Sequence, residues 1–269
     1  MIERGQMPVL FLVCPLPVRA QAGQTSFVRS TVRVRFRLTS TSRYGIPHGA
    51  DRMILLLIAT LAADQKSKQL DLGTAGDILR FFGLAADGRN YERLARRFDR
   101  VLSSSLEFRF HPLRSAEAPR ARSMTVCGGR QMWFEQHGPE KKGFRNSVVL
   151  SDDFWGELQR SKVIVPLAPY LALLDSPANL DLYLFMLAQS QSLRTGQYAR
   201  IPITGPDGLG AILGVSGYEQ ARDFRRKVRA WLERVRLAWR SCPAIISSDE
   251  QYLFVGHSSL KVQHSFPET

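Results

Sequence analysis

An α+β fold, two winged-helix units in tandem behind an N-terminal arm, is what this sequence predicts. Three observations carry that expectation. A length of 269 residues suits two domains of roughly 100 to 150 residues each. The order helix, short strand, capped helix, turn, longer helix, strand pair can be read off the chain twice. The longer helix of each half also sorts its apolar side chains from its arginines at about 100° per residue.

The arm covers residues 1–43 and includes a short strand. Up to about residue 31 it is rich in Pro, Gly, Gln and Ser and reads as extended chain. Met7 to Val13, followed by Ala20-Gln21-Ala22, loosely imitates a secretion signal. Pro15 and Pro17 interrupt the pattern, however, and the preceding MIERGQ has no net positive charge. From Val32 to Leu38 arginine alternates with apolar residues, as in a strand with one buried face. That suits an edge strand whose arginines discourage aggregation, or a strand that contacts phosphate.

The first unit spans 44–150. The turn Tyr44-Gly-Ile-Pro-His-Gly49 introduces an apolar helix from Asp51 to Ala63, and Gln69 to Leu72 makes a short strand. Thr74 caps a helix to Phe82 that stops at Gly83, and a second helix runs from Tyr91 to about Ser103. Leu106–Phe110 and Arg130–Phe134 read as two strands around a basic loop, Pro112 to Gly129, whose tip would be the wing.

The second unit, 151–256, repeats the plan. Ser151 opens a capped helix, Val163 to Pro169 is a proline-broken connection, and Ser176 to Leu193 holds an apolar helix. Arg200–Thr204 is a strand, Leu209–Leu213 a short helix ended by Gly214, and Tyr218 to Arg240 a long basic helix. Pro243–Ser247 and Gln251–Val255 form a hairpin, and the tail, 257–269, is polar and expected to fray.

A net charge of +13 narrows the partners to nucleic acid, an anionic membrane or an acidic protein. No apolar run approaches the roughly 20 residues of a membrane span. Cys14, Cys127 and Cys242 have no metal-binding spacing and read as reduced packing residues of a cytosolic protein. No phosphate-cradling Gly-x-x-x-x-Gly-Lys-Ser/Thr segment occurs, and the histidines form no metal-binding pair. Asp152 and Asp153 suit the dipole of a helix start better than a metal. The expectation is a non-enzymatic protein without cofactor or metal.

The two long helices carry the functional signal. In the second, Phe224, Val228, Trp231, Val235 and Trp239 share one stripe, while Arg222, Arg225, Arg226, Arg229 and Arg236 share an arc away from it. In the first, Arg89, Arg93, Arg96, Arg97 and Arg100 flank a stripe of Tyr91, Leu94, Phe98, Val101 and Leu102. Guanidinium groups match phosphates and guanine edges in bidentate geometry, so double-stranded DNA is the expected partner, with Arg120 and Arg122 on the wing as further contacts. The alternative is a solvated basic face on an ordinary core helix.

Several segments, in this order, resemble plasmid replication initiators of the RepA type: Cys14-Pro-Leu-Pro-Val-Arg19, Phe27-Val-Arg29, Tyr44 to Gly49 running into Arg52-Met-Ile-Leu-Leu, Leu72-Gly73 with Ile78 to Leu84, Arg93 to Leu102, Leu150-Ser-Asp-Asp-Phe-Trp155 and Leu180-Asp-Leu-Tyr183. His48 and the run Asp64 to Lys68 depart from that pattern. The resemblance implies a protein that binds repeated sites at an origin, opens adjacent AT-rich DNA and recruits host initiator, helicase loader and helicase. It also implies exchange between a homodimer and a monomer. A transcriptional repressor of the same fold and a DNA-nicking initiator are the alternative functions.

Overall fold

The computed structural model describes residues 3–19, 23–32, 34–111, 120–135, 143–215, 220–257 and 263–264. The chain opens with β1 (Arg4–Pro8), α1 (Val9–Val13), β2 (Ser26–Ser30) and β3 (Val34–Ser40). A 3-10 turn at Gly49–Asp51 leads into α2 (Arg52–Gln65), β4 (Gln69–Gly73), α3 (Ala75–Phe81) and α4 (Gly88–Leu102). Three strands follow, β5 (Ser104–Phe110), β6 (Arg120–Thr125) and β7 (Cys127–Gln131), then a 3-10 turn at Trp133–Glu135 and β8 (Asn146–Leu150). Next come α5 (Asp152–Arg160), β9 (Ser161–Pro166), α6 (Leu167–Ala172) and α7 (Pro177–Ser192). The chain continues with β10 (Tyr198–Pro202), α8 (Leu209–Leu213), α9 (Ala221–Ala238), β11 (Ala244–Ile246), β12 (Tyr252–Gly256) and β13 (Gln263–His264).

The α+β class is as expected, and the plan does recur. The series α2, β4, α3, α4, β7, β8 returns as α7, β10, α8, α9, β11, β12, and two of the three three-stranded sheets among the described residues have matching orders, β4-β8-β7 and β10-β12-β11, the third being β1-β9-β13. Local chemistry sets the helix starts. Thr74 and Asp77 form a reciprocal capping box at α3, the Asp87 carboxylate accepts from the Asn90 N–H at α4, and the Ser151 hydroxyl accepts from the Phe154 N–H at α5. Gly214 ends α8 in the left-handed region, φ +63°.

The expected N-terminal arm is not an extended arm. Gly5 to Pro8 pair antiparallel with Lys162 to Val165 of β9, and Met7, Leu10, Phe11, Leu12, Cys14 and Leu16 are all buried. The apolar run that imitates a secretion signal is thus core, with Phe11 stacked obliquely on Phe154 at 5.7 Å. Burying that many large apolar side chains outweighs the turn preference of the neighbouring prolines. The Thr60 hydroxyl of α2 accepts from the Gln6 N–H at 3.0 Å, and a Cβ on Gly5 would meet the Leu56 and Thr60 side chains at 2.9 Å, so any larger residue there would have to displace them.

Two further expectations fail. Val163 to Pro169 is not a broken connection but the strand β9 and the helix α6; the Gln191 amide brackets β9 by accepting from the Ile164 N–H and donating to the Ile164 carbonyl. The strand pair expected at Leu106–Phe110 and Arg130–Phe134 does not form. Instead β5 pairs with β6 in a second sheet, β2-β3-β5-β6, and the hairpin of the first repeat is β7 with β8. The strand read as a possible edge, β3, is interior to that sheet. Residues 112–119 of the expected loop, the helix start at Tyr218 and most of the tail lie outside the described residues.

A buried polar contact joins the repeats. Arg52, at the start of α2, donates to Asp181 of α7 at 2.8 Å, to the Leu16 carbonyl at 2.8 Å, and to the Gly49 carbonyl. Beside it Arg29 of β2 is buried and reaches the Ile212 carbonyl at 3.4 Å, near the end of α8. Burial pushes the Asp181 carboxyl up to about 6 against the opposing pull of the Arg52 and Arg29 guanidiniums. Replacing Phe11 with Ala should cost about 3 to 5 kcal/mol of unfolding free energy in a urea titration; a change within about 0.5 kcal/mol would restore the arm.

Candidate nucleic-acid interface

α9 is seated by its apolar side. Phe224, Val228, Trp231, Leu232 and Val235 are buried, the helix packs on α7, and Trp239 meets the edge of the Tyr183 ring at 5.4 Å. This leaves the arginine side outward. Arg222 is exposed and has no partner among the described residues, and Arg226 reaches only its own-helix Asp223 at 3.2 Å. The turn between β11 and β12 stands beside the first half of the helix: Gln251 accepts from Arg225 at 2.9 Å, and Glu250, at φ +58°, pairs with Arg229. Asp249 in the same turn is held below the usual carboxylate range, chiefly by the Ser247 hydroxyl and then by the Gln251 N–H. Further along, Arg236 donates to the Ala244 carbonyl at 2.7 Å and so ties the helix to β11.

α4 divides more sharply. In its first half Arg89 and Arg93 are exposed without a partner among the described residues, while Arg96 pairs with Glu92 one turn away and lies 5.6 Å from the centre of the Tyr44 ring. In its second half the arginines turn inward. Arg100 grips buried Asp51 through two hydrogen bonds, 2.6 and 2.7 Å. Arg97 approaches the same carboxylate at 3.8 Å and donates to the Met53 sulfur at 2.8 Å. Burial holds the Arg97 guanidinium below its ordinary value, with Asp51 opposing.

Arg97 and Arg100 are therefore corrected from an outward arc to an inward clamp on Asp51, a carboxylate that the 3-10 turn before α2 places against the helix. Arg120 and Arg122 are corrected as well: both belong to β6, not to a loop tip. Arg122 donates to nearly buried Glu157 of α5 at 2.8 Å, and Arg120 is exposed. Magnitudes separate these groups. Exposed pairs such as Arg96–Glu92, Arg226–Asp223 and Arg229–Glu250 are worth about 0 to 1 kcal/mol, so a phosphate can displace the acid. Removing Arg100 would strand a buried carboxylate at about 3 to 5 kcal/mol.

What remains is a set of outward arginines on the first half of each long helix: Arg89, Arg93 and Arg96 on α4, and Arg222, Arg226 and Arg229 on α9. Sequence reading placed the hairpin but did not assign its turn, Ser247–Gln251, to this surface, and it overlooked Lys227 and Arg234 on the other flank of α9. It also overlooked that β3 and β5 set Arg35 directly opposite Arg109, and Arg37 opposite Glu107, on one open sheet face. The alternation of β3 was the available signal for that face.

No protein-family model matches the sequence, and none of the curated proteins matches it. Among solved structures the chain is similar to domains 2 and 3 of RctB, in a selenomethionine derivative, with TM-score 0.56 and 14% identity over 85% of this chain and 85% of that one. It is similar also to the RctB 155-483 fragment, domains 2-3, with TM-score 0.52 and 14% identity over 89% of this chain and 92% of that one. At this identity the likeness is one of fold.

Arg100→Ala should lose about 3 to 5 kcal/mol of stability, whereas Arg93→Ala should change it by less than about 0.5 kcal/mol. Chemical denaturation of the two variants checks this, and equal losses would refute the division of α4.

Proposed function

We propose that this protein is a replication initiator that binds double-stranded DNA through two tandem winged helices, the first halves of α4 and α9 entering the major groove. The observation that carries the reading is the pair of outward arginine sets at matching positions of a repeated helix, strand, helix, helix, hairpin plan, in a chain of net charge +13. The fold likeness to domains 2 and 3 of RctB is taken in support of the same reading. The RepA-type segments of the sequence point to a plasmid origin.

On this reading the hairpin turn Ser247–Gln251 lies against the duplex beside α9, and exposed carboxylates give way to phosphates. Repeated sites would be occupied, nearby AT-rich DNA opened, and host initiator, helicase loader and helicase recruited, with a homodimer and a monomer sharing the work. The protein acts in the cytoplasm and has no catalytic step, cofactor or metal of its own. Among the described residues no helix is long and apolar enough to cross a membrane.

The test is a footprint of the protein on the DNA flanking its own gene at two salt concentrations. The expected result is protection of several direct repeats of about 20 base pairs, with affinity falling about 10³-fold between 50 and 200 mM salt if six phosphates are neutralised. Arg222→Ala with Arg229→Ala should lower the salt slope by about two. Protection of a lone inverted repeat would favour a repressor, and cleavage of supercoiled origin DNA with Mg²⁺ would favour a nicking enzyme.

A further inference from the structure

The β4-β8-β7 and β10-β12-β11 sheets share a strand order but not an outer face. In the first sheet the outward row across the ladder is Asp71, Ser147 and Gln131, with Gln69 beside it. In the second, the same row is Arg200, Phe254 and Ile245, with Tyr198 in the place of Gln69. Tyr252 adds a third ring on the same side of β12, two residues before Phe254.

These rings form one surface. Tyr198 and Phe254 meet edge to face at 5.5 Å, Tyr252 and Phe254 lie 6.4 Å apart, and the Arg200 guanidinium sits 3.7 Å over the Tyr252 ring. Tyr198 is 66% exposed and Ile245 60% exposed. The fold does not require this, because the first repeat builds the same sheet with a polar row. Solvating aromatic rings is unfavourable, so a face that carries them where its twin does not is suited to a ligand.

We propose that the outer face of the β10-β12-β11 sheet binds single-stranded nucleic acid, with unpaired bases stacking on Tyr198 and Phe254 and the Arg200 guanidinium, seated over the Tyr252 ring, holding a phosphate. Rings joined to a guanidinium on an open sheet match what a single strand offers, flat bases and a charged backbone. A duplex keeps its bases stacked inside and offers the rings nothing to stack on. The site is separate from the arginines of α4 and α9. The proposal goes beyond duplex recognition and does not rest on it, since one fails on duplex repeats and the other on a single strand.

The experiment uses the full chain and fluorescein-labelled oligo(dT) of about 20 nucleotides, with a duplex of equal length as the control. Tyr198→Gln with Phe254→Ser transplants the first sheet's residues into the second. Oligo(dT) affinity should fall about 10- to 100-fold while duplex affinity stays within about twofold. Arg200→Gln should lower the single-strand salt slope by about 0.7, and Phe254→Tyr should keep wild-type affinity. Iodouracil-substituted oligo(dT) should crosslink in the wild-type chain to Tyr198, Tyr252 or Phe254, a readout that does not depend on how the double variant folds. Unchanged oligo(dT) affinity in a folded double variant, or crosslinks confined to α4 and α9, overturns the proposal. So does altered sedimentation of the double variant with oligo(dT) binding intact, which would assign the face to a second copy of the chain.

Discussion

The Arg52–Asp181 contact is the interaction on which the arrangement of the two repeats depends. Each residue belongs to the first helix of its repeat, and each is removed from water, which costs several kcal/mol per ion before their attraction is counted. The arrangement offsets that cost by giving one guanidinium several acceptors: the Asp181 carboxylate and the carbonyls of Leu16 and Gly49. α2, α7 and the segment after α1 thus meet at one planar group whose geometry fixes their relative positions. Arg29, buried nearby and bonded toward the end of α8, brings the four-stranded sheet to the same point. The Cys14 thiol shares this environment, and burial pushes it up to about 12, which suits packing rather than reactivity.

The arginines of this chain do two kinds of work, and burial of the partner acid decides which. Asp51, Asp181 and Glu157 are buried, and the guanidiniums that meet them serve the fold. Asp223, Glu92 and Glu250 are at least partly exposed, and their partners remain available to a polyanion. In α4 the boundary falls between Arg96 and Arg97, so a single helix anchors by its second half and presents its first. α9 uses apolar anchoring along its length and keeps more of its arginines outward, though Arg225 and Arg236 each hold the neighbouring hairpin.

Much of the fold was legible because its causes are local. Thr74 with Asp77, Ser151 before its helix, Gly83 and Gly214 at helix ends, and the apolar stripes of α4 and α9 all act within a few residues. What escaped reading depends on distant partners. β1 and β9 are about 150 residues apart and neither alternates cleanly. β7 is Cys-Gly-Gly-Arg-Gln, poor in strand formers, and β6 has one buried residue, so the hairpin was assigned to the wrong strands. The clamp of Arg100 on Asp51 spans 49 residues. One clue did exist: Asp181 interrupts an otherwise apolar helix, and a carboxylate in such a run needs a buried cation.

The pairing of β1 with β9 has a consequence for anyone dissecting the molecule. The first strand and helix of the chain complete the second half, while β2 and β3, which follow directly, complete the first. A fragment cut at residue 151 would lack its opening strand and expose the surface that α1 covers on α7. Because β1 also packs on α2, the same short segment serves both halves, and neither keeps all its contacts when it is removed.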